Sequence, residues 1–500
     1  MTPLTKILRK HWGYSSFRAR QEDAIRAILG GRDLAAVMPT GAGKSLCYQL
    51  PAVALNRTAI VVSPLIALMQ DQVAHLERMG IPAGFLNSTQ DWPAQERVRA
   101  RAERGELRLL YLAPERLVRD DTLEWLRRLP IAFFAVDEAH CISEWGHEFR
   151  KEYRQLKRLR DLFPDLPIAA FTASATRHVR HDIVAQLGLR DPAKIALSFQ
   201  RPNLRYAVRN TRAADQLPLL KRAAEAYAGK PVIVYCGTIA EVESTAAALN
   251  AALYHGKLDP ESRERNQAAW MRGEKPWIVG TLAFGLGINK PDVRAVIHLA
   301  LPKSLEQYYQ EAGRAGRDGE PADCVLLWKN QDKALLAHFN EQIEDPDERE
   351  RGWQRYHTMI RYTAAGRCRQ RHICEHFGES PKWSKCGACD VCAAPPDWLT
   401  APKRSTSKKS RPSPAPKPGS EPTPTPAEAA SPLDSKLRAW RLDLARQSGK
   451  PAFTVLHDRV LAEIARRSPA TLDEVAAIPG IGPAKLAQYG EAILRIIAES

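Results

Sequence analysis

The 500 residues have ordinary hydrophobic content (44%), carry 73 Lys and Arg against 57 Asp and Glu, and sum to a formal charge of +16. That length predicts roughly two to four domains, each able to bury a core. The charge suits a nucleic acid or an acidic membrane, and equally a merely basic soluble surface, and composition does not choose among them.

No apolar run reaches the roughly 18 residues of a membrane span, and the start Met1-Thr-Pro-Leu-Thr-Lys-Ile lacks a signal-peptide core. A cytoplasmic protein without a membrane partner is expected. Nine cysteines in so long a chain do not make a disulfide scaffold, and those between 368 and 392 invite a metal reading.

Residues 1–200 alternate apolar runs (Ala59–Val62, Leu107–Leu112, Ala132–Val136, Ile168–Phe171) with amphipathic stretches, the pattern of an α/β domain with a mainly parallel sheet. Residues 201–335 repeat it, with runs at 232–235, 277–280 and 294–299. Residues 336–394 read as a helical module ending in the cysteine cluster. Residues 395–431, rich in Pro, Ser, Thr and Lys, read as a disordered tether whose coil would span on the order of 35 Å. Helical periodicity returns over 432–500, predicting a small all-α domain.

The first chemical signal is Trp12-Gly-Tyr14-Ser-Ser-Phe17-Arg18-Ala-Arg-Gln21. A glutamine amide can pair with both N6 and N7 of adenine, and Tyr14 and Arg18 offer faces for stacking; helix packing is the plainer alternative. Next comes Thr40-Gly41-Ala-Gly43-Lys44-Ser45 between a strand-like run and a helix start. Its glycines let backbone N–H groups surround phosphate, Lys44 would reach the terminal phosphates, and Ser45 would ligate Mg²⁺. Met38 stands where such loops usually begin with glycine.

Asp137-Glu138-Ala-His140 follows the run 132–136. At a strand tip the aspartate can hold Mg²⁺ and the glutamate can orient and deprotonate water. Trp145, His147 and Phe149 supply planar faces for bases, with packing between domains as the alternative. In Gln310-Glu-Ala-Gly313-Arg314-Ala-Gly316-Arg317, two arginines three residues apart can project across a cleft toward a γ-phosphate. A site divided in this way closes only with ATP, so hydrolysis must change the spacing of its halves. Cys386-Gly-Ala-Cys389-Asp-Val-Cys392 is a knuckle for a closed, structural Zn²⁺ site; Cys368, Cys374, His372 and His376 compete for its fourth position.

The order of FRARQ, PTGAGKS, SPLIALMQDQ, APERL, DEAH, FTASAT, TLAFGLGINKPDVR and QEAGRAGRDG over residues 1–394 resembles superfamily 2 helicases and, within them, the RecQ family. The stretch Cys141–Arg150 is similar to that family's aromatic-rich loop, which couples DNA contact to ATP hydrolysis and includes Arg150. The resemblance implies two tandem RecA-like domains that use ATP, Mg²⁺ and Zn²⁺. It also implies 3′-to-5′ movement on single-stranded DNA with unwinding of partial duplexes, in company with single-strand-binding or repair proteins.

It further implies that Cys368 is the fourth zinc ligand, that Thr172 and Thr176 link the domains to phosphate and DNA, and that Thr281, Asn289 and Lys290 contact the DNA backbone and nucleotide. Residues 478–490 resemble an HRDC domain, in which the turn at Gly480 and Gly482 either binds phosphate or simply joins two helices. Bacterial relatives place a winged-helix domain before the HRDC domain; here the tether fills that interval, so a translocase or strand-annealing remodeler with weak unwinding is the alternative. Cys236 and Lys151 also depart from the family pattern without removing a catalytic group.

Overall fold

A strand that is apolar at every position must be covered on both faces, and this chain builds two sheets from such strands. The computed structural model describes residues 3–146, 149–281, 284, 290–400, 432–448 and 455–498. The chain divides into two compact units, Met1–Pro402 and Lys403–Ser500.

In the first unit, seven strands form one sheet: β1 (Leu34–Val37), β2 (Thr58–Val62), β3 (Ala83–Leu86), β4 (Leu109–Leu112), β5 (Ile131–Val136), β6 (Ile168–Thr172) and β7 (Ala193–Ala196), in the order β3-β4-β2-β5-β6-β1-β7. Every pairing is parallel, as right-handed crossover helices require. All six residues of β5 are buried, and each of Phe133 and Phe134 contributes about 1.5–3 kcal/mol by leaving water.

Six further strands form the second sheet: β8 (Leu204–Asn210), β9 (Val232–Tyr235), β10 (Ala252–Tyr254), β11 (Trp277–Gly280), β12 (Ala295–His298) and β13 (Ala322–Trp328), in the order β10-β11-β9-β12-β13-β8 and again parallel throughout. The expected mainly parallel sheets are therefore wholly parallel among the described residues.

Three helices follow: Asn330–Glu341, Pro346–Ala364 and Arg369–His376. The longest begins where Asp345 accepts the amides of Asp347 and Glu348 while Pro346 occupies a position needing no donor.

The expected tether boundary at 395 needs correction. The chain stays packed through a short turn, Asp397–Leu399, whose Trp398 and Leu399 are buried in the second domain's core. Trp398 Nε1 donates to the Tyr227 hydroxyl at 3.2 Å, and Arg222 donates to the carbonyls of Asp397 and Thr400. Two apolar side chains override the proline-rich context. The remainder of the expected tether, from 401 to 431, lies outside the described residues.

The second unit is helical: Pro432–Ser448, Asp458–Arg467, Leu472–Ala476 and Pro483–Ala498 around Leu437, Leu461, Ile464, Val475 and Ile493. Gly480 (φ +105°) makes the turn before the last helix, and a Cβ there would stand 2.8 Å from Val460 Cγ2. Packing thus accounts for that glycine. Among the described residues, no helix is long and apolar enough to cross a membrane.

Candidate active site

In open parallel sheets, ligands collect at the carboxyl ends of the strands, and that edge of the first sheet carries the predicted chemistry. After β1 the chain turns through Gly41 (φ +86°) and Gly43 (φ +79°) into the helix Lys44–Leu55. Both glycines sit where a side chain is strained, and a Cβ on Gly43 would stand 2.4 Å from Gln21 Nε2.

A cavity of about 520 Å³ opens here, lined from the first domain by Tyr14, Arg18, Gln21, Thr40, Gly41, Gly43, Lys44, Ser45, Asp137 and Glu138, and from the second by Gln310, Arg314 and Arg317. The two halves are in contact: a Cβ on Gly41 would lie 3.6 Å from Arg317 Cγ, and one on Gly313 would lie 3.5 Å from Thr40 Cβ.

Gln21 does not present a free amide to a base in this arrangement. Its Nε2 donates to the carbonyls of Ala42 and Gly43, each at 3.1 Å, while its Oε1 accepts the Arg18 amide at 2.8 Å. Arg18 donates to the Gly41 carbonyl at 2.5 Å, and Lys44 Nζ donates to the Met38 carbonyl at 3.3 Å. The loop's own carbonyls thus occupy donors that a nucleotide would take over.

Asp137 ends β5 buried, and burial, reinforced by the Glu138 carboxylate, pushes it up to about 6 against the opposing pull of Lys44. A bound cation reverses that balance, so the site fits Mg²⁺ held by Ser45 and Asp137. Glu138 adopts φ +46°, a left-handed backbone that a non-glycine residue holds only where its surroundings enforce it.

From this acid a polar chain crosses the domain. His140 Nδ1 lies 3.2 Å from Glu138 and 3.0 Å from Thr172 Oγ1. Thr172 Oγ1 donates to the Ser174 carbonyl at 3.3 Å, so the histidine donates to Thr172. Ser174 Oγ accepts from Gln310 Nε2, in the second domain, at 2.8 Å. Glu138 is linked in this way to the arginine-bearing segment.

Three residues expected at nucleic-acid contacts make internal bonds in this structure. Thr172 is buried inside that polar chain. Thr176 caps the helix Arg177–Gln186 by accepting the Val179 amide. Lys290 is buried, with Nζ donating to the Met271 carbonyl at 3.2 Å, paired with Asp292 at 3.4 Å and over the Trp270 ring. Each group fills an internal bond that local sequence does not reveal.

Thr281 is half-buried and its amide donates to Tyr254. His147 and Asn289 lie outside the described residues. Trp145 remains 46% exposed, against His178 and beneath the Arg351 guanidinium. Phe149 lies beside Arg154, and the Arg150 amide donates to the Cys141 carbonyl.

Arg317 is buried, and burial together with Arg314 and Arg201 pushes it down to about 9. Clustered guanidiniums around a cavity favour an anion. Arg201 was missed in the sequence. Its Nη1 donates to the Thr40 carbonyl at 3.0 Å, and its Nη2 to those of Ala315 and Gly316 at 3.1 and 2.9 Å. The one available signal was an arginine, before proline, at the junction of two α/β repeats.

The Sγ atoms of Cys368, Cys386, Cys389 and Cys392 all lie within 4.8 Å of one another, close to the roughly 3.8 Å edges of a tetrahedron of Zn–S bonds. Backbone amides of Arg369, Cys386 and Ala388 point at three of these sulfurs, as thiolates require. Four thiolates and no open position fit structural Zn²⁺. The competitors are placed elsewhere: His376 Nε2 is 2.5 Å from Glu306, and His372 and Cys374 lie outside the cluster of mutually close ligand atoms. Arg369, next to the ligand Cys368, is buried against Asp390 and the Tyr362 carbonyl.

Comparisons with known proteins agree with this construction. Family profiles match for the DEAD/DEAH box helicase at residues 18–182, the helicase conserved C-terminal domain at 215–319, RecQ zinc-binding at 330–393 and the HRDC domain at 433–497. The ATP-dependent DNA helicase RecQ of Haemophilus influenzae is 41% identical over 395 residues, covering 78% of this chain and 63% of the relative. The chain spans a little under two thirds of the length of such relatives.

The RecQ of Bacillus subtilis is 32% identical over 580 positions, covering 98% of each chain, so at least 80 of those positions have no counterpart in the 500 residues here. Solved structures of Mycobacterium smegmatis helicase Lhr (19% identity, TM-score 0.52, covering 72% of this chain and 57% of that one) and helicase MrfA (18%, 0.55, 66% and 51%) share the fold. Tandem parallel-sheet domains, a cleft they share, a four-cysteine module and a B. subtilis relative matched over nearly its whole length place this chain in the RecQ helicase family.

Proposed function

We propose that this protein is an ATP-dependent DNA helicase that moves 3′ to 5′ on single-stranded DNA and opens partial duplexes during recombination and repair. The observation that carries the reading is the shared cleft, in which Lys44 and Asp137 of one domain face Arg314 and Arg317 of the other. Lys44 and the loop amides bind the phosphates, Glu138 receives a proton from the attacking water, and the two arginines stabilise charge on the departing phosphoryl group. Mg²⁺, held through Ser45 and Asp137, supplies charge neutralisation at the phosphates.

Loss of the γ-phosphate would remove an anion shared by Lys44 of one half and Arg314 and Arg317 of the other. Trp145, on the loop that follows Glu138, is exposed, so stacking of a base there would be linked in sequence to the hydrolytic acid. Direction of travel, a cytoplasmic location and partnership with single-strand-binding or repair proteins are proposed from family membership alone.

Displacement from a 3′-tailed duplex, with a 5′-tailed duplex as control, tests the reading. Strand release from the 3′-tailed substrate with ATP is expected. DNA-stimulated hydrolysis without release would favour a translocase or annealing remodeler, the reading favoured by the positions that the B. subtilis relative has and this chain lacks. No hydrolysis would overturn both.

A further inference from the structure

A split ATPase site needs something that registers one half against the other. Lys44 is bonded within its own loop. Gln310 crosses to Ser174, a strand away from the phosphate loop. Arg201, which lies between the last strand of the first sheet and the first strand of the second, bridges phosphate loop and arginine loop directly through its hydrogen bonds.

Its guanidinium works as a fork. One nitrogen donates to Thr40, the residue before Gly41, and also lies 3.5 Å from the Gly313 carbonyl; the other donates to Ala315 and Gly316, the two residues preceding Arg317. Asn203 completes the brace by donating to the carbonyls of Gly316 and Glu320, both at 2.9 Å. A lysine could not reproduce this set, because a single ammonium lacks the planar spread of donors.

Arg201 is itself held from a third direction. Gln370, buried on the zinc module's last helix, accepts the Arg201 amide at 3.1 Å and donates to the carbonyls of Arg201 and Leu204, both at 2.9 Å. Glu379 accepts the Phe199 amide at 3.1 Å, and Phe377 stacks on Phe199 at 4.2 Å between ring centroids. The interdomain segment is therefore clamped by the module whose fold the four cysteines set.

We propose that Arg201 is a positioning residue for ATP hydrolysis, setting the arginine loop against the phosphate loop, and that Gln370 fixes Arg201 so that the zinc module contributes to the geometry of the nucleotide site. The inference rests on the helicase reading above for its catalytic readout, but the bracing itself is testable by binding.

The experiment uses the full chain as wild type, Arg201→Met, Gln370→Met and the double variant. It measures zinc content, affinity for Mg-ADP, affinity for Mg-ADP-beryllium fluoride, and kcat for ATP with single-stranded DNA. ADP reports the first domain's loop; the beryllium fluoride complex, with its γ-phosphate mimic, needs both halves.

Expected are zinc near one per chain throughout, ADP affinity unchanged, and fluoride-complex affinity and kcat lowered about tenfold by Gln370→Met and about a hundredfold by Arg201→Met. The double variant should match Arg201→Met within about threefold, because the two residues act in series. Wild-type values in Gln370→Met, or effects that multiply in the double variant, would overturn the proposal. Should Gln370→Met not fold, Arg201→Lys decides: wild-type affinity for the fluoride complex would equally overturn it, and a loss like that of Arg201→Met would support it. A wild type that hydrolyses no ATP would sink the helicase reading, and the fluoride-complex affinities would still decide the bracing.

Discussion

Replacing Arg317 by alanine removes a guanidinium of the second domain whose side-chain stem packs on the phosphate loop, its Cγ 3.6 Å from where a Cβ on Gly41 would be. Burial first, and then Arg314 and Arg201, hold that guanidinium below the ordinary arginine range, and the three arginines concentrate positive charge in the cleft before any anion arrives. A γ-phosphate relieves this repulsion, and the relief is greatest as charge moves onto the transferred group. Comparable arginines contribute about 10³-fold or more to turnover, or about 4 kcal/mol of barrier.

Arg317→Ala is therefore expected to lower kcat by about 10³-fold in a phosphate-release assay with saturating Mg-ATP and single-stranded DNA. Arg317→Lys keeps the charge without the fork and should lose about 10²-fold. Without nucleotide, the alanine variant should melt no lower than wild type, since the deletion removes a buried like-charge neighbour. Turnover within about tenfold of wild type in Arg317→Ala would refute the reasoning.

Lys44→Ala should abolish turnover while single-stranded DNA affinity is retained, checked by phosphate release and fluorescence anisotropy. Cys389→Ser should lower zinc content, measured by atomic emission, and the melting temperature with it, because removing one of four thiolates opens the shell that holds the module. Trp145→Ala should weaken single-stranded DNA binding by about 1–3 kcal/mol in anisotropy titrations, the usual loss of one stacked base. Ending the chain after Ala394 instead of Thr400 removes buried Trp398 and Leu399 and should destabilise it by about 3 kcal/mol or more in urea titration, while a chain ending at Thr400 should match the parent's first transition.

What the sequence made legible was chemistry concentrated in short contiguous runs. The glycine loop at 40–45, the acidic pair at 137–138 and the arginines at 314 and 317 each announce themselves locally, and the fold only has to bring their ends together. Cys368 was harder, since the knuckle spacing leaves several partners open until the Sγ positions single it out.

What stayed hidden depends on partners far along the chain. Thr172 was expected to link the domains to phosphate and DNA, and nothing in its local sequence announces the bond to His140, 32 residues away. Lys290 looked like a phosphate contact, but the Met271 carbonyl and the Trp270 ring take its ammonium inside. Arg201 bonds to groups 112 to 161 residues distant, which no local pattern encodes. The strands β3, β7 and β10, of 4, 4 and 3 residues, are too short to show a period.

The claim beneath all of this is that ATP turnover in the divided cleft is coupled to a DNA strand. Steady-state hydrolysis by the full chain, measured with and without a single-stranded oligonucleotide, tests it most directly. A low rate alone and a severalfold rise with DNA that Lys44→Ala eliminates are expected; an absence of hydrolysis, or the same rate with and without DNA, would contradict the coupling.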